Sequence, residues 1–256
     1  MKKTLIFAAL VAALALTACK KKNDSTPEPT PEPQTVTRLS MEKIVKTMEA
    51  LTLNTSRGLT WGNGILMQVY DTIITQPFGI EQFYQSNMVY NNGNIVRIDE
   101  QNDSWQFSFT YEDGLLKTIV NGMENDTTAW GEVTAYTEDG HVREIMDHYS
   151  YTLSRWTITW ANGDAVEVIK EVLEPEELVA THVYTYTYDN KPNAYTGIPL
   201  AWAIKDCDGG AVARLMSKHN QTNEGYTYNY NDKGYLVSIV AENDSTFYNY
   251  IEQTLR

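Results

Sequence analysis

The chain has 256 residues and a formal net charge of −13, from 33 acidic and 20 basic side chains. Such a surface repels nucleic acid and anionic headgroups at long range, which argues against a nucleic-acid partner. At this length, with 42% hydrophobic residues, the chain can bury a sizeable core, and its two cysteines are too few for a disulfide-stapled framework.

Lys2 and Lys3 open the chain, and small and apolar residues follow without a break from Leu5 to Leu16. A basic start, a short apolar stretch and small residues beyond it predict a secretory signal over residues 1–18. The run is short of the roughly 20 apolar residues that span a bilayer. Leu16-Thr17-Ala18-Cys19 resembles the lipobox of bacterial lipoproteins. That resemblance implies cleavage before Cys19, a diacylglyceryl- and palmitate-bearing cysteine, and a lipid-anchored address in the cell envelope at the outer membrane. The membrane is then a partner through the N-terminal lipid. Cleavage would remove two of the 20 basic residues and none of the 33 acids, so −13 becomes −15. It would also leave Cys207 without a partner for an intrachain disulfide.

Residues 19–38 carry prolines at 27, 29, 31 and 33 among Glu, Thr and Gln. Proline at alternate positions forbids a regular helix and favours an extended tether. Ser40 then offers an N-cap, and Ile44, Met48 and Leu51 recur at helical spacing with Val45 beside them. This predicts an amphipathic helix over residues 41–52, opening a single domain of residues 39–256.

The rest of the chain repeats. Five segments place an aromatic before a glycine-containing turn and an aliphatic five residues after the glycine: Tyr90/Gly93/Ile98, Tyr111/Gly114/Ile119, Tyr136/Gly140/Ile145, Trp160/Gly163/Val168 and Tyr230/Gly234/Ile239. Asn-Gly and Asp-Gly pairs mark hairpins because tight turns need positive φ. A sixth unit, ending at Tyr188, has Lys191 where the glycine would sit. Aromatics alternate with polar residues at 107, 109 and 111, at 184, 186 and 188, and at 226, 228 and 230, the pattern of half-buried antiparallel strands. A second turn type recurs at Asn102-Asp103, Asn125-Asp126 and Asn243-Asp244. The expected fold is all-β: an antiparallel meander of about twelve short strands curled into a barrel or strongly curved sheet, since a long flat sheet would expose its edges. A two-sheet sandwich is the alternative.

Residues 190–224 break the rhythm. Apolar residues at 200, 202, 204, 212, 215 and 216 flank Asp206-Cys207-Asp208-Gly209-Gly210. Two short helices about a turn, or a cover over one end of the sheet, fit this pattern.

Tyr188-Asp189-Asn190-Lys191-Pro192-Asn193, Gly197-Ile198-Pro199-Leu200-Ala201, Ser217-Lys218-His219-Asn220 and the segment from Tyr226 through Gly234 to Leu236 resemble the uncharacterised Bacteroidetes lipoprotein family described as having a porin-like fold. The resemblance spans roughly residues 60–256. It implies a curled antiparallel sheet or barrel and transfers no catalytic residues. The chain departs from the family pattern at Ala194-Tyr195.

The chemical motifs are sparse. The 206–210 segment lacks the oxygen ligands and distal Glu of a calcium loop and reads as a surface turn. His141, His148, His182 and His219 show no zinc spacing, and none pairs locally with Cys207 to make a nucleophile. No metal and no cofactor are expected. Glu171, Glu174, Glu176 and Glu177 cluster, as do Glu138 and Asp139, but sequence spacing cannot set two acids about 5–10 Å apart across a cleft. Trp61, Trp105, Trp130 and Trp202 fall near turns or loops, where an exposed ring can stack on a sugar. The expectation is an envelope-anchored lipoprotein that binds a glycan or surface protein rather than catalysing a reaction. The alternatives are a glycan-acting hydrolase with a carboxylate pair at the barrel mouth, and a purely structural envelope component.

Overall fold

The computed structural model describes residues 34–48, 51–101, 105–123, 129–149, 152–174 and 177–255. The strands are β1 (Thr35–Met48), β2 (Leu51–Gly62), β3 (Ile65–Gln76), β4 (Ile80–Asn91), β5 (Asn94–Gln101), β6 (Trp105–Glu112), β7 (Leu115–Met123), β8 (Ala129–Tyr136), β9 (Val142–Tyr149), β10 (Thr152–Ala161), β11 (Asp164–Glu174), β12 (Glu177–Thr185) and β13 (Thr187–Pro192). Two helices follow, α1 (Leu200–Ile204) and α2 (Gly209–Met216), and then β14 (His219–Thr222), β15 (Thr227–Tyr230), β16 (Leu236–Val240) and β17 (Asp244–Thr254). Fifteen strands form one antiparallel sheet in the order β12 down to β1, then β17, β16 and β15. β13 and β14 form a separate two-stranded ribbon.

The predicted helix over 41–52 is instead parts of β1 and β2. β1 is paired along its length with β17 on one side and with β2 on the other. That tertiary pairing overrides a weak helical preference. A bulge at Ser40 puts Leu39 and Glu42, three residues apart, on the same buried face. Ser40 caps no helix; its Oγ donates to the Asn249 carbonyl at 3.0 Å. β1 also begins at Thr35, inside the tether predicted to run to residue 38.

The expected dozen short strands are seventeen among the described residues, the longest of 14 residues. The sheet is not closed into a barrel: β12 and β15 are its two ends. The expected pair of helices about residues 205–208 is present.

One local device recurs along the sheet. Asn63-Gly64, Asn92-Gly93, Asp113-Gly114 and Asn162-Gly163 all have positive φ at both residues, the geometry of a tight two-residue hairpin turn. Gly140 and Gly234 close slightly longer turns. In every one of these six hairpins the third residue after the glycine is an extra one: Met67, Val96, Lys117, Arg143, Val166 and Val237. Strand side chains alternate, so residues two and five places after the glycine should face opposite ways. The bulge brings them to the same side. Leu66 and Val69, Ile95 and Ile98, Leu116 and Ile119, Val142 and Ile145, and Ala165 and Val168 are all buried.

The bulge also disrupts the ladder locally. The carbonyl just before the extra residue accepts instead from the pre-turn aromatic of the next hairpin. Tyr90 donates to Leu66 (2.7 Å), Tyr111 to Ile95 (2.7 Å), Tyr136 to Leu116 (2.6 Å) and the Trp160 indole to Val142 (2.7 Å). Tyr188 donates to Ala165 (2.6 Å) and Tyr250 to Leu236 (2.7 Å). The Trp61 indole donates to Leu39 (2.7 Å), beside the Ser40 bulge. Tyr230 completes the collar by donating to Asp189 of the separate ribbon. Each such bond contributes about 0.5–1.5 kcal/mol net.

The insert that carries α1 and α2 lies within the curve of the sheet. Gly209 packs on Trp156 of β10, and the Cys207 thiol on Gly131 of β8. The Lys205 ammonium lies 4.7 Å from the Phe107 ring of β6, and Tyr195 meets Tyr248 of β17 edge-on at 6.1 Å. One compact insert reaches strands from β17 round to β10, so the sheet must wrap it.

Burial pushes the Tyr90, Tyr111 and Tyr136 hydroxyls up to about 12, against about 10 in an unfolded chain. A raised folded-state value means stability is intact below about pH 10 and is lost as pH climbs toward 12. Denaturant titrations across this range are expected to show that window, with tyrosinate absorbance rising in step. A Cβ on Gly131 would stand 2.3 Å from Cys207 Sγ and 3.0 Å from the Met146 carbonyl. Gly131→Ala should therefore cost about 1–3 kcal/mol, part of it recovered by adding Cys207→Ala. Urea melts of the two single variants and the double variant measure that coupling.

Candidate functional site

The insert is held by a polar clasp built from the ends of its neighbours. The Asn193 amide donates to the Arg214 and Ser217 carbonyls (2.9 and 2.8 Å), and its oxygen accepts from Tyr195 N–H (2.9 Å). Asn220 accepts from Ala194 N–H (2.9 Å) and donates to the Pro192 carbonyl (3.0 Å) and Asp189 (3.1 Å). Ser217 Oγ donates to the Ala213 carbonyl (2.6 Å) and accepts from Ala165 N–H (3.0 Å). Asp164 takes His219 through both its N–H and its ring Nδ1, the latter at 2.7 Å. Asp208 caps α2 by accepting from Gly210 N–H at 2.8 Å.

Opposite the insert, strand register sets a row of polar side chains across the inner face. Tyr248 of β17 is opposite Glu42 of β1, Glu42 opposite Arg57 of β2, Arg57 opposite Asp71 of β3, and Asp71 opposite Tyr84 of β4. Arg57 forks onto Asp71, with Nε to Oδ1 at 2.8 Å and Nη2 to Oδ2 at 3.1 Å. Its Nη1 lies 3.9 Å from Glu42. Glu42 is only 3% exposed and accepts the Tyr195 hydroxyl. Burial opposes the Arg57 charge, but the hydrogen bonds and charge of Asp71, aided by Glu42, hold its pKa above the usual value. Burial, then the Glu42 carboxylate, pushes the Tyr195 and Tyr248 hydroxyls up.

Two cavities remain between this row and the insert. One, of about 200 Å³, is walled by Tyr195, Tyr226, Tyr228 and Tyr248 with Asn223 and Glu42 among the polar groups. The other, of about 290 Å³, is walled by Arg57, Asp71, Tyr84, Glu100, Trp202 and Lys205. Arg214 of α2 borders both. It is exposed although it lies inside the curve, because open space adjoins it on both sides. Its guanidinium stands 5.5 Å from the Tyr195 ring. Arg57, by contrast, is committed to two carboxylates, and Lys205 lies 3.4 Å from Glu100 and 3.0 Å from Asp206.

The sequence-predicted residues are dispersed. Trp61 is 8% exposed and belongs to the collar, with Arg38 5.4 Å from its ring. Trp202 is 6% exposed, covered by Lys205 at 5.2 Å and Arg57 at 6.0 Å, and reaches the second cavity only as wall. Neither is an exposed stacking platform: each sits where the curled sheet covers it. Trp105 and Trp130 have side chains outside the described residues, as do Cys19 and the whole 1–33 segment. Glu171 pairs with Arg155 on the outer face (2.6 Å), and Glu138 and Asp139 sit on an exposed turn. Of the acids that line the cavities, Glu42 and Asp71 are bridged by Arg57, Glu100 and Asp206 share Lys205, and Asp244 lies 3.8 Å from Lys46.

Cys207 is fully buried at positive φ, pointing inward from a turn whose two acids point out. Burial and the neighbouring Asp147 push its thiol pKa up, the reverse of an activated thiolate. Burial likewise pushes Asp147 up to about 6, despite Lys170 nearby. His219 serves the clasp, and His141 stacks on Trp160 at 4.5 Å. No group of three His, Cys, Asp or Glu among the described residues is arranged to hold a metal.

No family model matches the chain, and no curated protein matches it. A solved structure described as a porin-like protein from Bacteroides uniformis ATCC 8492 is similar at 11% identity and a TM-score of 0.42, over 83% of this chain and 96% of that one. A likeness at this level leaves the function to the geometry of the site.

Sequence reading missed the Glu42–Arg57–Asp71 row because a helix over 41–52 turned Glu42 toward solvent. It missed Arg214 because nothing local marks a charge that only tertiary wrapping encloses. Arg57→Ala should leave Glu42 buried without its cation and Asp71 without its fork. The expected cost lies at or below the low end of the roughly 3–5 kcal/mol seen for broken buried pairs, since Arg57 is partly exposed. Arg155→Ala, on the outer face, should cost at most about 1 kcal/mol. Denaturant melts of the two variants compare them directly.

Proposed function

We propose that this chain is a non-enzymatic binding module for a glycan, carried on the cell envelope by a lipid on Cys19. The observation that carries the reading is the pair of cavities flanking Arg214. Tyrosine faces and a small set of polar groups converge there, the composition of a site for a small polar ligand. Tyr226 and Tyr228 offer ring faces, Asn223 an amide, and Arg214 a fork of N–H donors. The spaces lie at or below the bottom of the roughly 300–1,000 Å³ that hold drug-sized ligands, so the bound portion is of the order of one sugar unit. The outer face supports an anchored rather than an embedded protein. It carries ion pairs such as Arg97–Asp99 and Arg155–Glu171, where a membrane barrel presents an apolar band.

The test is a glycan array with the full chain, followed by titration of the strongest hit against Tyr228→Ala and Arg214→Ala. Each variant is expected to weaken binding about tenfold or more, equivalent to ~1.4 kcal/mol, while still unfolding in one cooperative transition. A hit whose affinity neither variant moves, or an array without hits, removes the glycan reading. Cys19→Ala in cells fed a labelled fatty acid tests the anchor separately: the label should be lost.

A further inference from the structure

The sheet has two ends, and they are built differently. β15 is four residues long, and a short edge offers little for another strand to pair with. β12 is nine residues long and, among the described residues, pairs only with β11. Tyr186 continues β12 and donates its N–H to the Val166 carbonyl at 3.0 Å. Hydrogen-bonded and non-bonded positions alternate along an antiparallel pair. Ala180, His182 and Tyr184 therefore direct their N–H and C=O at β11. Thr181, Val183 and Thr185 direct theirs off the sheet.

Edge strands are ordinarily guarded by Lys, Pro, inward charges or bulges. A bulge falls at the start of β12, and the strand is regular from Ala180 to Thr185. Residues 178–185 contain no Lys, Arg, Pro, Asp or Glu. Val183 is 56% exposed and Tyr184 42%, so both faces of the strand meet solvent.

We propose that β12 is a dimerisation edge, to which β12 of a second copy of this chain adds antiparallel about a two-fold axis. The sequence is complementary to itself in that direction. Val183 and the threonines at 181 and 185 meet the same residues in reverse order, with no fixed charge facing another. In that register Thr185–Tyr188 of each copy lie beside the other's Leu178–Thr181, and neither stretch carries a fixed charge. A parallel, in-register arrangement would instead set Glu177 beside Glu177. The two-fold also closes the assembly, since each copy's edge is consumed by the other. The net charge of −13 opposes approach at long range, so added salt should strengthen the dimer.

Sedimentation of the full chain over rising concentration tests this, read together with hydrogen exchange of the 178–185 segment. The expected result is a monomer–dimer equilibrium in which the Thr181, Val183 and Thr185 amides gain protection as dimer forms. Val183→Lys should weaken the dimer at least tenfold and return those amides to fast exchange, with an unchanged melting temperature. Thr181→Pro, which deletes an outward N–H, takes its place if Val183→Lys fails to fold. A chain that stays monomeric at every concentration overturns the proposal. So does a dimer that survives the folded variant, or one that forms while those amides remain unprotected.

Discussion

The extra residue three places after each turn glycine governs the architecture. It turns two apolar positions of odd spacing toward the same side, and five of the six return strands bury both. It takes one carbonyl out of the ladder and gives it to an aromatic hydroxyl or indole from the next hairpin. It also bends the strand and increases its local twist. Six copies of that bend, stitched by donors such as Tyr90, Tyr111 and Tyr136, convert a long meander into a curl. The aromatics are therefore fasteners between hairpins as much as core.

A curl of fifteen strands encloses more space than strand side chains can occupy; about eight strands is the size that side chains alone fill. The insert between β13 and β14 answers that surplus. Its helices are rich in Ala and Gly, and positions such as Gly209 let the helix backbone approach Trp156 closely. The fit is incomplete, and the gaps it leaves include the two cavities beside Arg214. A polar row faces them because a wet interior makes charge tolerable. Even so, Glu42 is buried deeply enough to need Arg57 and Tyr195 together.

What the sequence disclosed was local. The glycine turns, the alternation of Tyr and Phe and the constant five-residue spacing are short-range signals, and each corresponds to a hairpin in the structure. The hairpin at Asn63-Gly64 carries the same signal, with Trp61 before it and Val69 five residues after. The misread helix has a different cause. β1 is a strand because residues near 250 pair with it, and no window around residue 44 contains that information. Trp61 and Trp202 were read as exposed for the same reason, since wrapping rather than sequence neighbourhood covers them. The Asp-Asn-Lys-Pro-Asn run was conspicuous in sequence, and its part is now physical: Asp189 and Asn193, with Asn220 and Ser217, form the clasp that seats the insert.

The clasp and the open edge are two consequences of one event. β12 and β13 are successive parts of one length of chain: the first pairs with β11, the second with β14 when the insert returns. Among the described residues the other edge of the first part, Glu177–Thr185, is left unpaired because the chain has gone inside to fill the curl instead of pairing along its rim. Closing the sheet on itself would require β12 to meet β15, its other end, but the chain between them forms the β13–β14 ribbon and the insert that Arg57, Glu42 and Trp156 pack against. The interior cavities and the unpaired strand are thus linked by connectivity: a chain of this length, wound this way, fills its centre at the expense of its rim.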